Sequence, residues 1–386
     1  MSIRLLSAAA LAGVLLAPSL PAQDAPLRSI YHPYRVVTVA EGLVNPWSIA
    51  FLPGGDILVT ERAGRLRIVR GGRLLAEPVA GLPAIRVGNQ GGLLDVVPHP
   101  DFARNRLLYI SYAKPNAAGD QSTTAVIRAR FANDRLNDVQ EVFEANAWSR
   151  GQGHYGSRIA FDGKGYMFIT VGDRQVPPQG DLAAHPAQDL KVHNGKVIRL
   201  HDDGRVPTDN PFVGRTDALP QIWSYGHRNP QGLLIDAAGN VWATEHGPQG
   251  GDELNLIQPG KNYGWPVIGF GVNYRSGTNI HEGTTRAGME QPVKVWVPSI
   301  ATSGLMQYRG TAFSGWQGHV FSGGLVGEVL WRLKIEDGRV VEEEQLFSRR
   351  GRVRDVRQGP DGFVYLAVED RAGGPTNLVR LEPAGR

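Results

Sequence analysis

One phrase recurs six times along this chain of 386 residues: an apolar run, a turn rich in Pro, Asp and Gly, then a short strand. It reads Phe51-Leu52-Pro53-Gly54-Gly55-Asp56 before ILVTE, and His99-Pro100-Asp101-Phe102 before LLYISY. It returns as Phe161-Asp162-Gly163-Lys164-Gly165 before YMFITVGD and as Ile235-Asp236-Ala237-Ala238-Gly239-Asn240 before VWATE. A degenerate copy runs from Tyr308 through Trp316-Gln317-Gly318 to HVFSGG, and the last is Gly359-Pro360-Asp361-Gly362 before FVYLAVED. A strand–turn–strand unit cannot bury its own faces, so the copies must stack on one another. Packed radially, they predict an all-β chain: a six-bladed β-propeller with four-stranded antiparallel blades. The innermost strand of each blade lines a central channel, so residues far apart in sequence converge there.

The blades begin near Asn45, Gln90, Gly156, Asn229, Pro298 and Arg352, and no shift in composition marks an internal boundary. The expectation is therefore a single propeller domain over residues 23–386. Length is no obstacle, because each blade extends the array rather than one shared core. The 49 glycines and 26 prolines fit a chain dominated by turns between short strands. Gly204 to Leu219 and Phe270 to Gln291 are the longest polar loops. An early strand, Tyr34 to Val39, is expected to complete the last blade and leave the ring no open edge.

Residues 1–22 read as a signal peptide. Arg4 supplies a positive start, Leu5 to Leu16 the apolar stretch, and Leu20-Pro21-Ala22 a small-residue cleavage site. The apolar stretch is short for a membrane span and no later segment approaches one, which predicts a periplasmic protein. The absence of cysteine excludes disulfides, and a formal charge of +4 is small for this length. No stripe of Lys and Arg interleaved with aromatics marks a nucleic-acid surface. A few converging arginines suit an anionic small molecule better.

The unusual polar residues precede the repeated turns. Asn89-Gln90-Gly91-Gly92 opens the second blade and Gly153-His154-Tyr155-Gly156-Ser157-Arg158 the third, with Gly172-Asp173 at the end of its next strand. Gly226-His227-Arg228-Asn229 opens the fourth, which carries Glu245-His246-Gly247-Pro248, and Arg352-Val353-Arg354 opens the sixth. Taken singly these are weak signals. An isolated histidine in a β-protein is more often structural than catalytic. Asp173 could be a turn cap. Arg352 and Arg354 share one face of a strand, which suits fork-like binding of carboxylates but equally a surface salt bridge. His227 and His246 lack zinc-type spacing, and there is no dinucleotide fingerprint, phosphate loop or nucleophile elbow.

Together, NPWSIAFLPGGDILVTER, NQGGLLDVVPHPDF, GHYGSRIAFDGKGYMFITVGDR, SYGHRNPQGL, ATEHGPQGGDELNLIQPGKNYGWP, PSIATSGL and RVRDVRQGPDG resemble, in that order, the soluble pyrroloquinoline-quinone (PQQ) sugar dehydrogenases. This glucose/sorbosone dehydrogenase family includes the bacterial aldose sugar dehydrogenases, and the resemblance covers the whole mature chain. It implies oxidation of an aldose at C1 to a lactone, with His154 as general base, Asp173 orienting it and Arg228 at the quinone oxygens. It further implies cofactor contacts from Gln90, Asn229, Arg352 and Arg354. A calcium ion beside the quinone would be held by the carbonyls of Gly247 and Pro248, and a second, structural one by Glu253 and Tyr263. The implied partners are a sugar and an external electron acceptor, and the chain is expected to be a monomer.

Two departures accompany the resemblance. The glucose branch has a lysine near the cofactor in its fifth blade, whereas Val326 stands here; and Trp296 lies one position from where that branch places an aromatic. The shorter aldose branch fits better. A calcium-dependent propeller lactonase and a non-catalytic sugar-binding propeller are the competing readings, since propellers host many functions.

Overall fold

A computed structural model describes residues 25–385, so the expected signal peptide lies outside the described residues. From channel to rim, the first blade comprises Pro46–Phe51, Ile57–Glu61, Arg65–Arg70 and Arg73–Leu74; the second, Leu93–Pro98, Leu107–Pro115, Ser122–Ala132 and Arg135–Glu144. The third has Ile159–Phe161, Tyr166–Val171, Lys196–His201 and Ile222–Tyr225; the fourth, Pro230–Ile235, Val241–Glu245, Asp252–Ile257 and Lys294–Trp296. Thr302–Gln307, Val320–Gly324, Val329–Glu336 and Arg339–Leu346 form the fifth. In the sixth, Arg352–Gln358, Val364–Glu369 and Pro375–Pro383 are followed by the N-terminal strand Pro33–Val44, and a two-residue strand, Leu27–Arg28, edges it.

The predicted closure is therefore present. Pro33–Val44 pairs antiparallel with Pro375–Pro383, with Val36 opposite Leu381 and Val37 opposite Arg380. A ring closed by its own two ends presents no free strand edge at the seam. Each neighbouring pair of blades encloses its own apolar cluster, six in all, so burial is distributed around the ring rather than in one core. A hydroxyl on the second strand also reaches into the next blade. Thr60 donates to the Leu94 carbonyl at 2.6 Å, Ser111 to Ser157 at 2.7 Å and Thr170 to Pro230 at 3.0 Å. These are the hydroxyl residues of ILVTE, LLYISY and YMFITVGD in the repeated phrase.

The channel is plugged by charge. Arg158 lies 2.9 Å from Asp355 and 3.7 Å from Asp95, while Arg357 bridges the same two carboxylates at 2.9 and 3.0 Å. Both aspartates have no exposed surface. Asp95 also accepts from the Ser48 hydroxyl and the Ile159 amide, and Asp355 from the Ile49 amide. Two cations and two anions thus join the first, second, third and sixth blades, leaving no net charge in the channel. Removing one member of such a cluster leaves an uncompensated buried charge. Arg158→Met should therefore cost about 3–5 kcal/mol, read as a lower denaturation midpoint in guanidinium chloride. A midpoint unchanged from wild type would mean that the plug carries no stability.

Candidate active site

At one mouth of the channel, the segment leading into the third blade carries His154. Its φ of 48° is left-handed, an uncommon conformation for a residue with a Cβ. Two contacts hold it there. The His154 amide donates to Gln90 Oε1 at 2.8 Å, and the neighbouring strand approaches so closely that a Cβ on Gly172 would lie 2.3 Å from the His154 carbonyl oxygen. The imidazole Nδ1 pairs with Asp173 Oδ1 at 2.6 Å. Asp173 Oδ1 also accepts from the Gln175 amide, and Oδ2 from the Trp265 indole at 2.8 Å. An ionised carboxylate can only accept, so Nδ1 carries the proton and Nε2 is left as the free acceptor.

Burial is the largest influence on both groups. It pushes the His154 pKa down; Asp173 opposes this, Arg228 adds to it, and the net position is below the ordinary histidine range. For Asp173 burial pushes upward, but the pairing with His154 and the charge of Arg228 more than offset it, and the group titrates below a normal aspartate. A neutral imidazole beside a charged, fully buried carboxylate is the arrangement of a base and its orienting partner. His154 opens onto a cleft of about 200 Å³ that is also lined by Pro177, Arg228, Trp265 and Tyr274.

Arg228 enters the cleft from the segment that opens the fourth blade. Its amide donates to Glu245 Oε2 at 2.6 Å, its Nη1 to the Gly247 carbonyl at 2.6 Å, and its guanidinium lies 5.1 Å from the Trp265 ring centre. Asn229 accepts from the Gly156 amide at 3.1 Å through Oδ1. Arg228 Nε and Asn229 Nδ2 are buried donors without a protein partner. Buried donors are normally satisfied, so such atoms point to a missing acceptor.

A second cavity, of about 280 Å³, is lined by Gln90, His246, Arg62, Arg352 and Arg354, and Gln90 links it to His154 by accepting from the His154 amide. Arg352 and Arg354 do share one face, as expected of positions two apart on a strand. Both reach Glu369 Oε2, at 3.4 and 2.9 Å, and Arg62 meets Glu369 Oε1 at 3.4 Å. Three guanidinia around one carboxylate leave this cavity two charges positive. Arg354 Nε is also buried without a partner. His246 stays neutral: burial pushes its pKa to about 3, and its Nε2 donates to the Thr302 carbonyl at 2.6 Å. The donor set suits a planar polycarboxylate, so the residues present fit PQQ.

The metal positions are less developed. The Pro248 carbonyl accepts weakly from Ser299 at 3.4 Å, and the Gly247 carbonyl is already engaged by Arg228. Glu245 is buried and Glu253 partly so, and both accept from the Asn255 amide at 3.0 Å. Burial, then repulsion from Glu245, raises Glu253 well above the usual carboxylate range. Excess buried negative charge of this kind suits a divalent cation with oxygen ligands. The Tyr263 hydroxyl is committed elsewhere: it donates to the Leu256 carbonyl at 2.5 Å and accepts from the Gln258 amide. Only its main-chain carbonyl is left for a metal. Among the described residues, no group of three or more His, Cys, Asp or Glu side chains is arranged around a metal.

The structure thus brings His154, Asp173, Arg228, Asn229, Gln90, Arg352 and Arg354 to one mouth of the channel. It adds three residues that the sequence reading gave no role: Arg62, Glu369 and Trp265. Val326 is 56% exposed and does not line the cavity, whose third cation comes from the first blade.

The glucose/sorbosone dehydrogenase family model matches residues 43–380. The chain belongs to this family. The aldose sugar dehydrogenase YliI of Escherichia coli is 41% identical over 356 residues, spanning 90% of this chain and 93% of that protein. The apo crystal structure of the soluble aldose sugar dehydrogenase from Escherichia coli superposes with a TM-score of 0.85 at 39% identity, over 91% of this chain and all of that one. The PQQ-bound form of the aldose sugar dehydrogenase from Streptomyces coelicolor gives 0.74 at 29% identity, over 93% and 99%.

In this family member Glu369 is the counter-ion of the arginine cavity, which sets a pH dependence. Burial pushes its pKa up, but Arg354, Arg62 and Arg352 together bring it below the ordinary 4.5. A carboxylate depressed on folding contributes stability above its unfolded pKa and loses it as the pH falls through the folded value. At pH 6, Glu369→Gln should be about 3 kcal/mol less stable than wild type, the gap shrinking as the pH drops below 4.5. Urea denaturation at several pH values measures it. A gap that stays constant with pH would show that the carboxylate's charge is not what matters.

Proposed function

We propose that this protein is a periplasmic dehydrogenase, dependent on PQQ and calcium, that oxidises aldoses at C1 to lactones and passes the electrons to an external acceptor. The observation that carries this reading is the adjacency of a cleft containing a neutral, carboxylate-oriented imidazole and a cavity with two excess positive charges. The signal-peptide reading of residues 1–22 supports export, and no described helix is long and apolar enough to cross a membrane.

In this reading the sugar occupies the cleft with its anomeric hydroxyl at His154 Nε2, which accepts the hydroxyl proton. Asp173 holds the ring in the productive tautomer and stabilises the imidazolium that forms. PQQ, when bound, supplies the quinone that takes up the hydride from C1 and with it both electrons. Arg62, Arg352 and Arg354 would hold its carboxylates, and Gln90 and Asn229 would orient it. Arg228 would present fixed positive charge to the oxygens of a bound quinone. Calcium at the carbonyls of Gly247 and Pro248 would add Lewis-acid polarisation, and a second ion at Glu253 and the Tyr263 carbonyl would compensate the buried carboxylates.

Purified apo-protein supplied with PQQ and calcium should reduce a dye in the presence of aldoses and require both additions. In the same assay His154→Ala should lower turnover by about 10²–10⁴-fold while binding PQQ as wild type does. Turnover in that variant within a fewfold of wild type would remove His154 as the base. Replacing Arg352 and Arg354 together by alanine should weaken PQQ affinity by roughly a hundredfold or more in a fluorescence titration of the apo-protein. An unchanged titration would place the cofactor elsewhere.

A further inference from the structure

The indole of Trp265 touches both halves of the apparatus. It comes from the long loop between Asp252–Ile257 and Lys294–Trp296 of the fourth blade, whereas His154 and Asp173 belong to the third. Its Nε1 lies 2.8 Å from Asp173 Oδ2, both atoms buried, and among the described residues it is the hydrogen-bond donor to that oxygen. Asp173 Oδ1 is shared by His154 Nδ1 at 2.6 Å and the Gln175 amide at 2.8 Å. A carboxylate held at one oxygen only could pivot about its Cβ–Cγ bond and carry the imidazole with it. The indole bond removes that freedom.

The indole is itself fixed. The Trp265 amide donates to the Gly226 carbonyl at 2.8 Å, and its carbonyl accepts from Gln188 Nε2 at 2.7 Å, tying the residue to the third blade and to the segment leading from it into the fourth. His185 and His281 meet the ring edge-to-face, with centroids at 6.2 and 5.6 Å. The Arg228 guanidinium sits 5.1 Å from the ring centre, within the range of a cation–π contact. One side chain thus sets the second oxygen of the orienting carboxylate and forms a wall for the arginine opposite it.

We propose that Trp265 is a positioning residue for the sugar-oxidising reaction: its N–H locks Asp173 so that His154 Nε2 points into the cleft, and its ring fixes the Arg228 guanidinium over the same point. The claim rests on the reading of His154 as base, but its direct readout does not. In apo-protein, the strongly hydrogen-bonded His154 Nδ1 proton should give a far-downfield proton resonance, assigned by its loss in His154→Ala. Trp265→Phe, which keeps an aromatic face, should shift or abolish that resonance. In the reconstituted enzyme the variant should lose about tenfold to a hundredfold in kcat, with the sugar KM and the PQQ affinity within about twofold of wild type.

An isosteric 3-benzothienylalanine at position 265 retains the shape and removes only the N–H, so a folding defect in the phenylalanine variant does not decide the matter. It should reproduce the loss in kcat. An unmoved resonance in the benzothienyl protein overturns the proposal, as does a moved resonance with unchanged kcat. A rise in KM alone would make Trp265 a wall of the cleft and equally overturn it. If His154→Ala retains turnover, the base assignment falls, while the resonance of the Trp265 variants still reports whether the indole holds the carboxylate.

Discussion

The plug of Arg158, Asp95, Asp355 and Arg357 is the constraint on which the rest of the molecule depends. A propeller has no central core, because its blades pack only against their neighbours around the axis. Here four charges with no net sum take that place, and their remaining hydrogen bonds go to the backbone of adjacent blades. Such a cluster is costly to desolvate, so its contribution lies less in net stability than in allowing only one angular arrangement. That arrangement reaches the site directly. Arg158 donates to the carbonyls of Gln231 and Arg354 at 2.7 and 3.0 Å and stacks 4.1 Å from the Trp47 ring, which lines the arginine cavity. The cation that closes the channel is also the one that holds Arg354 in place.

Above the plug, the base and its partners come from segments between strands, whereas Arg352, Arg354 and Glu369 sit on strands of the sixth blade. His154 opens one blade, Arg228 the next, and Trp265 comes from a loop within that next blade. Their relative positions are set by backbone contacts: the Asp173 amide donates to the Arg228 carbonyl at 2.8 Å, and Asn229 Oδ1 takes the Gly156 amide. The left-handed backbone at His154 costs of order 1–3 kcal/mol, which the surrounding contacts must offset. A flexible loop would relax it. The strain persists because Gln90 holds the amide and Gly172 leaves no slack behind it.

The architecture was legible because the repeat is written at two levels. Turn chemistry marks where each blade bends, and the alternation of ILVTE or YMFITVGD marks which residues face the neighbouring blade. The seam was less legible: Tyr34 to Val39 reads as a strand, but nothing in its pattern names the blade it joins. The arginine pair was legible from its period of two. Arg62, Glu369 and Trp265 were not, although a signal existed. The second strand ends on an acid in ILVTE, VWATE and LAVED, giving Glu61, Glu245 and Glu369 at matching places. Each meets cations or backbone amides: Glu61 meets Arg65 and Arg67, Glu245 the Arg228 amide, and Glu369 the cavity arginines. Read as a column of the repeat, those glutamates predict where arginines must gather. Trp265 lies outside any repeat, in a loop whose path no periodicity describes.

The charge pattern also bears on Val326, which stands where the resemblance places a fifth-blade lysine. What an anionic partner needs is the field in the cavity, and a field can be supplied from any blade that faces the axis. With Glu369 offsetting one of three guanidinia, the cavity keeps two positive charges without a contribution from Val326. Glu369 also holds the three arginines, which would otherwise repel one another, at fixed positions. The charge that remains is preorganised, so binding spends little on ordering side chains. In a ring of this kind a functional group is defined by its height along the axis more than by its blade, and a cation lost from one blade can be matched from another at the same height.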